Sequence, residues 1–432
     1  MARSRRYVPL NVYLNSRLVG QLQRDPAGAI AFQYDADWLA WPYALPVSLS
    51  LPLREAAYTG TPVLAVFDNL LPDNGELRRR IAARTQAEGM DAYSLLNAIG
   101  RDCVGALQFL PPDIDPGRAG SVNGEPISRS EISTVLANLA TSPLGIGDDE
   151  EFRISIAGAQ EKTALLHWNR RWYKPHGTTA TTHIFKPSIG QLPNGVDLTH
   201  SVENEYLCLK LLAALGLPVA HTQMATYGER RVLIVERFDR LWTQDGRLLR
   251  LPQEDCCQAL SIVPSRKYQS DGGPGTEAIL ELFRGSDTPA EDQRTFLKAV
   301  IAFWLLGATD GHAKNFSVFL SPGGRYHMTP LYDVISAQPS VDSNQIRHNQ
   351  FRLAMAVGDN RHYIMKTIAP RNFFQTAKRS GVGEEVVTSI FDELRGIAEK
   401  AVDRVAGTLP KGYPANIAES IISGIKRRLR TI

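Results

Sequence analysis

Asp310, Asn315 and Asp333 are the residues of this chain whose types and spacing best suit chemistry. The first two stand five positions apart in Gly307-Ala308-Thr309-Asp310-Gly311-His312-Ala313-Lys314-Asn315-Phe316, and the third follows in Leu331-Tyr332-Asp333-Val334. D-x-x-x-x-N is the spacing of a protein-kinase catalytic loop. In such a loop the aspartate accepts a proton from a substrate hydroxyl and the asparagine binds magnesium. A second aspartate holds the metal that bridges the nucleotide phosphates. The pattern also arises by chance, so its weight rests on what stands upstream.

Upstream lies Arg153-Ile154-Ser155-Ile156-Ala157-Gly158-Ala159-Gln160-Glu161-Lys162-Thr163, rich in small residues just before a strand. Small side chains let backbone N–H groups approach phosphate oxygens. One glycine falls short of a full glycine-rich loop, and an ordinary turn is the alternative. Lys186, in His183-Ile184-Phe185-Lys186-Pro187, ends a β-run and could meet phosphates as a point charge. Its partner would be a glutamate on the next helix, which is expected to start at Ser201 as N-cap and stop at Gly216. Glu203 and Glu205 cannot both face one cleft, and Glu205 is preferred. His312 reads as a loop residue near a nucleotide, since no second histidine stands at ligand spacing. Ser155 lacks the G-x-S-x-G setting of a hydrolase nucleophile.

The elements that must position these residues are legible in part. Thr288-Pro289-Ala290-Glu291 predicts a capping box with proline at the first helical position, and Phe296, Val300, Phe303 and Leu306 recur at helical spacing up to Gly307. After Asn315, residues 316–320 and 326–329 read as a hairpin around Pro322-Gly323-Gly324, returning Asp333 beside Asn315. Two converging acceptor oxygens would make a magnesium site completed by phosphates and water. An apolar strand at 232–235 leads into Val235-Glu236-Arg237-Phe238-Asp239, read as a hinge whose backbone could meet an adenine edge.

A chain of 432 residues is too long for one ordinary core. We divide it into an N-terminal module (1–112), a linker and strand-rich nucleotide-binding part (113–235), and a helical lobe carrying the catalytic loop (236–432). Residues 7–34 alternate as strands with turns at Asn15-Ser16 and Asp25-Pro26-Ala27-Gly28, and helices follow at 75–83 and 92–99. No catalytic constellation is visible in this module. Residues 111–121 read as a linker, 126–140 as a helix, and 163–168 and 182–185 as strands joined by a flexible connection at 176–181. Beyond residue 190, helices are expected to dominate.

The apolar share of 43% and charged share of 22% fit a soluble globular chain, and a net charge of +3 does not by itself imply nucleic-acid binding. Arg3-Ser4-Arg5-Arg6 and Lys426-Arg427-Arg428-Leu429-Arg430 read first as solvated termini. Cys103, Cys208, Cys256 and Cys257 show no zinc spacing, which fits a reduced interior. There is no signal-peptide pattern, and the most apolar stretch, 296–308, contains Lys298 and is too short to span a bilayer. A cytoplasmic location is expected.

Taken together, these stretches resemble the HipA family of bacterial toxin kinases. The likeness is carried by residues 154–165, 183–187, 203–206, 235–240, 309–317 and 331–333. It implies an α+β, distantly protein-kinase-like bilobal fold and an ATP- and Mg2+-dependent serine/threonine kinase. By the same resemblance Asp310 is the catalytic base, and Asn315 and Asp333 bind magnesium. Lys186, Ala157, Gly158, Ala159, Gln160, Glu161 and Lys162 contact ATP. Glu236, Arg237 and Phe238 line the adenine site, with His312, Lys314 and Tyr332 also at the nucleotide. Ser155 is the autophosphorylated serine. The implied partners are a small helix-turn-helix antitoxin (HipB-like), operator DNA through that complex, and an aminoacyl-tRNA synthetase, notably the glutamyl enzyme, whose modification halts translation and produces dormancy or persistence. A homodimer in the DNA complex would follow from operator symmetry; no residue pattern shows one. Ala308-Thr309 replace the usual His-Arg, and Val334-Ile335 replace Phe-Gly after Asp333, so activation-loop regulation is not implied. Two alternatives stay open: a small-molecule phosphotransferase, and a catalytically silent DNA-binding corepressor.

Overall fold

The computed structural model describes residues 7–146 and 152–432, so the basic cluster at Arg3–Arg6 lies outside the described residues. The N-terminal alternation forms the strands Leu10–Leu14, Arg17–Arg24 and Ile30–Tyr34, with Asn15 and Ser16 both at positive φ in the tight turn. These pair antiparallel, flanked by Tyr58–Thr59 and Leu107–Leu110, and carry the helices Thr61–Asp68, Gly75–Thr85 and Ala92–Ile99.

The middle of the chain builds a six-stranded antiparallel sheet in the order Thr222–Tyr227, Arg230–Glu236, His183–Pro187, Thr163–Trp168, Arg171–Pro175, Gly124–Pro126. Both faces of its central strands are covered. Val232, Ile234 and Phe185 pack against Ile132 and Leu136 of the helix Arg129–Ala137. Leu233 and Val235 pack against Val202 of the helix Ser201–Ala214. Burial on both faces explains the unbroken apolar run at 232–235. The period of two also places Lys186 on the face of Ile184, opposite Phe185.

The helical lobe packs the helices Thr276–Arg284, Pro289–Leu306, Pro370–Arg379, Glu384–Gly407 and Ala415–Leu429. The expected helical dominance is incomplete, because strands at Gln253–Asp255, Ser317–Ser321, Arg325–Met328 and Arg352–Val357 are interleaved. One buried apolar cluster runs from Leu10 through the lobe to Ile425, so the N-terminal module shares a core with the lobe. The architecture is α+β, with a sheet-built part and a helical part flanking a cleft. No helix among the described residues is long and apolar enough to cross a membrane.

Three local expectations need correction. Ser201 is the first helical residue, not the cap; its Oγ accepts from the Ile189 N–H at 2.9 Å, and His200 stands at the cap. Thr288 forms no capping box, because its backbone at φ −128°, ψ 63° is not the extended conformation of a cap, although Pro289 does open the helix. The stretch 176–181 is no loose connection: Thr179, Ala180 and Thr181 are buried. The strand Arg171–Pro175 precedes it.

Thr181 belongs to a buried ionic cluster that joins all three parts of the chain. Asp102 receives Arg237 at 3.3 Å, Arg240 at 2.9 Å and Arg250 at 3.0 Å. Thr181 donates its hydroxyl to Asp102 at 2.7 Å, and Asp239 binds Arg237 at 2.8 Å. The charged side chains in this cluster are at most 5% exposed.

A second buried acid sits where the module docks. Glu254 Oε1 accepts from the Leu49 N–H at 2.7 Å, with no cation paired to the carboxyl among the described residues. Burial pushes this carboxyl up to about 8. A carboxyl raised on folding stabilises fully below the unfolded value of about 4.3 and loses that stability as pH rises toward the folded value. Glu254→Gln is therefore expected to gain on wild type between pH 5 and pH 8, by at least about 1 kcal/mol. Equal differences in melting temperature at the two pH values would contradict this.

Candidate active site

The cleft holds a cavity of about 500 Å³. At one end it is apolar: Ile184, Val235 and Phe238 line it, and the Phe238 and Tyr332 rings lie 5.8 Å apart. At the other it is charged, with Lys162, Lys186, Asp310, Asn315 and Asp333 converging. An amphipathic cavity of this size suits a nucleotide, with its base at the dry end and its phosphates at the charged one.

Lys186 is the centre of the charged end. Its ammonium donates to Glu205 Oε1 and to Asp333 Oδ1, each at 2.8 Å. Glu203 instead takes Arg231 at 2.9 Å, so Glu205 is the glutamate that pairs with the cleft lysine. Burial pulls the Lys186 ammonium down, but Asp333 and Glu205 outweigh it and hold it charged. Burial likewise pushes Asp333 up, and Lys186 and Lys162 more than reverse this, keeping the carboxylate ionised. Glu205 stays above its ordinary range, because burial dominates and it shares one ammonium with Asp333.

Asp333 occupies the left-handed region at φ 57°, a strained conformation for a non-glycine residue. It arrives there because the strands Ser317–Ser321 and Arg325–Met328 pair and return the chain. Tyr332 locks the return by donating its hydroxyl to the Lys314 carbonyl at 3.0 Å. Asp310 follows Gly307, whose φ of 69° ends the helix Pro289–Leu306. Asn315 Nδ2 donates to the Asp310 carbonyl at 2.7 Å. A carbonyl only accepts, so the amide nitrogen must lie there, and Asn315 Oδ1 is left to ligate. Among the described residues no cluster of three or more His, Cys, Asp or Glu stands ready for a metal. Asn315 Oδ1 and the Asp333 carboxylate are hard oxygen donors of the kind magnesium takes, and both residues line the cavity.

Above this floor runs the loop 154–162. Gly158 sits at φ 104°, and a Cβ there would meet Lys162 Nζ at 2.7 Å, so only glycine lets that ammonium lie across the loop. Lys162 Nζ donates to the Ala157 carbonyl at 2.7 Å, and burial with Lys186 nearby lowers it to about 8. Gly158, Ala159 and Gln160 also line the cavity.

Glu236, Arg237 and Lys314 also line the cavity, while the charged groups of the last two are engaged in contacts between segments. Glu161 is ion-paired with Arg80 and does not line the cavity. Lys314 spends its ammonium on the Asn69 carbonyl at 2.6 Å and on Asp255 at 2.9 Å. The Arg237 guanidinium lies in the ionic cluster, and its N–H donates to Thr182 while that of Glu236 donates to His221. An adenine edge would have to draw its donor from the backbone beyond them. Ser155 is fully buried: its hydroxyl donates to the Leu70 carbonyl at 2.8 Å, and its N–H donates to the Asp102 carbonyl.

The N-terminal module contributes more than expected. Pro72 pairs with Gly158 as a parallel bridge, and Asn69, Leu70, Asp73 and Asn74 line the cavity. Asp73 binds Lys267 at 2.8 Å, and Tyr268 donates its hydroxyl to Asp310 Oδ1. No spacing announces these residues.

Comparison with known proteins places this geometry. Residues 154–402 match the family model of the HipA-like C-terminal domain, and residues 10–110 match that of the HipA N-terminal domain. The Sinorhizobium fredii protein Y4mE is 36% identical over 403 residues, covering 92% of this chain and 91% of that one. The Shewanella oneidensis serine/threonine-protein kinase toxin HipA is 29% identical over 363 residues, covering 81% of this chain and 78% of its own. The structure of Shewanella oneidensis HipA with HipB and operator DNA superposes with a TM-score of 0.81 at 26% identity, covering 98% of this chain and 97% of that one. With both family domains in order along a chain whose cleft holds Lys186, Asp310, Asn315 and Asp333, this protein belongs to the HipA family.

Proposed function

We propose that the chain is an ATP- and Mg2+-dependent serine/threonine kinase and the toxin of a toxin–antitoxin pair. The observation that carries this is Lys186 held between Glu205 and Asp333 at the charged end of a cavity that the exposed carboxylate of Asp310 also lines. Lys186 and Lys162 offer point charges to phosphate oxygens. Asn315 and Asp333 would hold magnesium, which neutralises charge on the bridging phosphates. Asp310, at the cavity mouth, accepts the proton of the substrate hydroxyl.

The acceptor proposed is an aminoacyl-tRNA synthetase, the glutamyl enzyme first, with arrest of translation and persistence as the outcome. Ser155 is the proposed autophosphorylation site. Its burial under Leu70 means that the loop 154–158 must leave the Pro72 bridge before Ser155 can be modified. Phosphate adds close to two negative charges, which cannot return to that apolar slot, so the site stays open and inactive. The antitoxin and operator partners are proposed from the HipA–HipB–DNA neighbour, with a corepressor role in the cytoplasm.

The test is transfer of labelled γ-phosphate from Mg-ATP by antitoxin-free, unphosphorylated protein, with and without glutamyl-tRNA synthetase. Label on the synthetase and on the Ser155 peptide is expected. ATP consumption with no labelled protein would favour a small-molecule phosphotransferase. No turnover at all would sink the kinase assignment and leave the corepressor.

A further inference from the structure

Ala308-Thr309 stand where protein kinases carry His-Arg, so lateral support for the Asp310 carboxylate has to come from another segment. That support is Tyr268. Its hydroxyl donates to Asp310 Oδ1, and its ring meets the His312 ring edge-on at 4.8 Å. His312 Nε2 lies 3.8 Å from the same oxygen. Asp310 is otherwise 55% exposed at the cavity mouth. Both neighbours crowd Oδ1, which leaves Oδ2 turned to whatever enters.

Tyr268 is itself held from both sides. Lys267 before it reaches across to Asp73 at 2.8 Å, and Gln269 after it accepts from the Ala356 N–H at 2.7 Å. The phenol is also a durable donor, since burial and the Asp310 charge push its ionisation above the ordinary tyrosine range.

We propose that Tyr268 is the positioning residue of this site: it fixes Asp310 Oδ1 so that Oδ2 faces the acceptor hydroxyl, with Asp73–Lys267 and Gln269–Ala356 as its anchors. The inference rests on Asp310 being the base. A carboxylate free to rotate spends most of its time misdirected, and small misplacements at the reacting atoms cost large factors in rate.

The experiment is steady-state transfer from Mg-ATP to glutamyl-tRNA synthetase, or single-turnover labelling of Ser155 where the synthetase takes no label, comparing wild type with Tyr268→Phe. Phenylalanine keeps the ring contact with His312 and removes only the donor. The rate constant is expected to fall about 10- to 100-fold, as for loss of a hydrogen bond to a charged group. The KM for Mg-ATP and the rise in melting temperature on adding Mg-ATP should match wild type. An unchanged rate constant overturns the inference. So does a fall in rate that comes with a lost nucleotide-induced thermal shift, since that is structural damage. A wild type with no transfer overturns the kinase assignment itself, and this inference with it.

Discussion

Replacing Asp310 with alanine is expected to lower phosphoryl transfer by about 10²- to 10⁴-fold, the range for loss of a general base. Stability and nucleotide affinity should change little. The side chain is 55% exposed, and its contacts are Tyr268 and His312, not the core. The Asp310 carbonyl that orients Asn315 belongs to the backbone and survives the substitution. Lys186 keeps both its carboxylates. Measured kcat should therefore collapse while the melting-temperature rise with Mg-ATP persists. A variant with near-wild-type kcat would remove Asp310 from the chemistry.

The largest effect on stability is expected at Asp102, whose carboxylate is the hub of the buried ionic cluster. Asp102→Ala leaves Arg237, Arg240 and Arg250 crowded in the interior with Asp239 as their remaining carboxylate. Breaking a buried ion pair from one side costs about 3–5 kcal/mol. Burial alone would push the Asp102 carboxyl up, but the three guanidinium groups hold it well below the carboxylate range. A carboxyl depressed on folding gives stability that is present above its unfolded value of about 3.9 and is lost as pH falls through the folded one. Urea unfolding at pH 7 should show the deficit in the transition midpoint. A loss below about 1 kcal/mol would mean that the arginines find other partners or water.

How far the sequence reached can be judged element by element. The catalytic loop was legible because its frame is local: a helix ended by Gly307 and a short hairpin after Asn315. Lys186 and Glu205 were legible because each lies on a regular element whose period fixes the face it presents. Capping residues misled where a competing hydrogen bond won, as at Ser201, whose hydroxyl serves Ile189. Composition misled at 176–181, where small and polar residues suggested looseness but Thr181 pairs with a buried aspartate. Asn69, Asp73, Lys267 and Tyr268 were invisible, because docking of separate segments assembles them and no spacing along the chain encodes it. Lys314 and Arg237 were recognised as important residues, but their side chains serve as struts between segments.

The Pro72–Gly158 bridge also bears on when the cleft is assembled during the protein's own synthesis. Residues 69–74 emerge from the ribosome early, while Asp333 follows on the order of tens of seconds later at ordinary elongation rates. Until then, the strip that closes the phosphate end has nothing to close, and Lys186 lacks one of its two carboxylates. A truncated or half-translated chain therefore carries no assembled site. An enzyme proposed to act on the translation machinery would thus have no assembled cleft until Asp333 has been made.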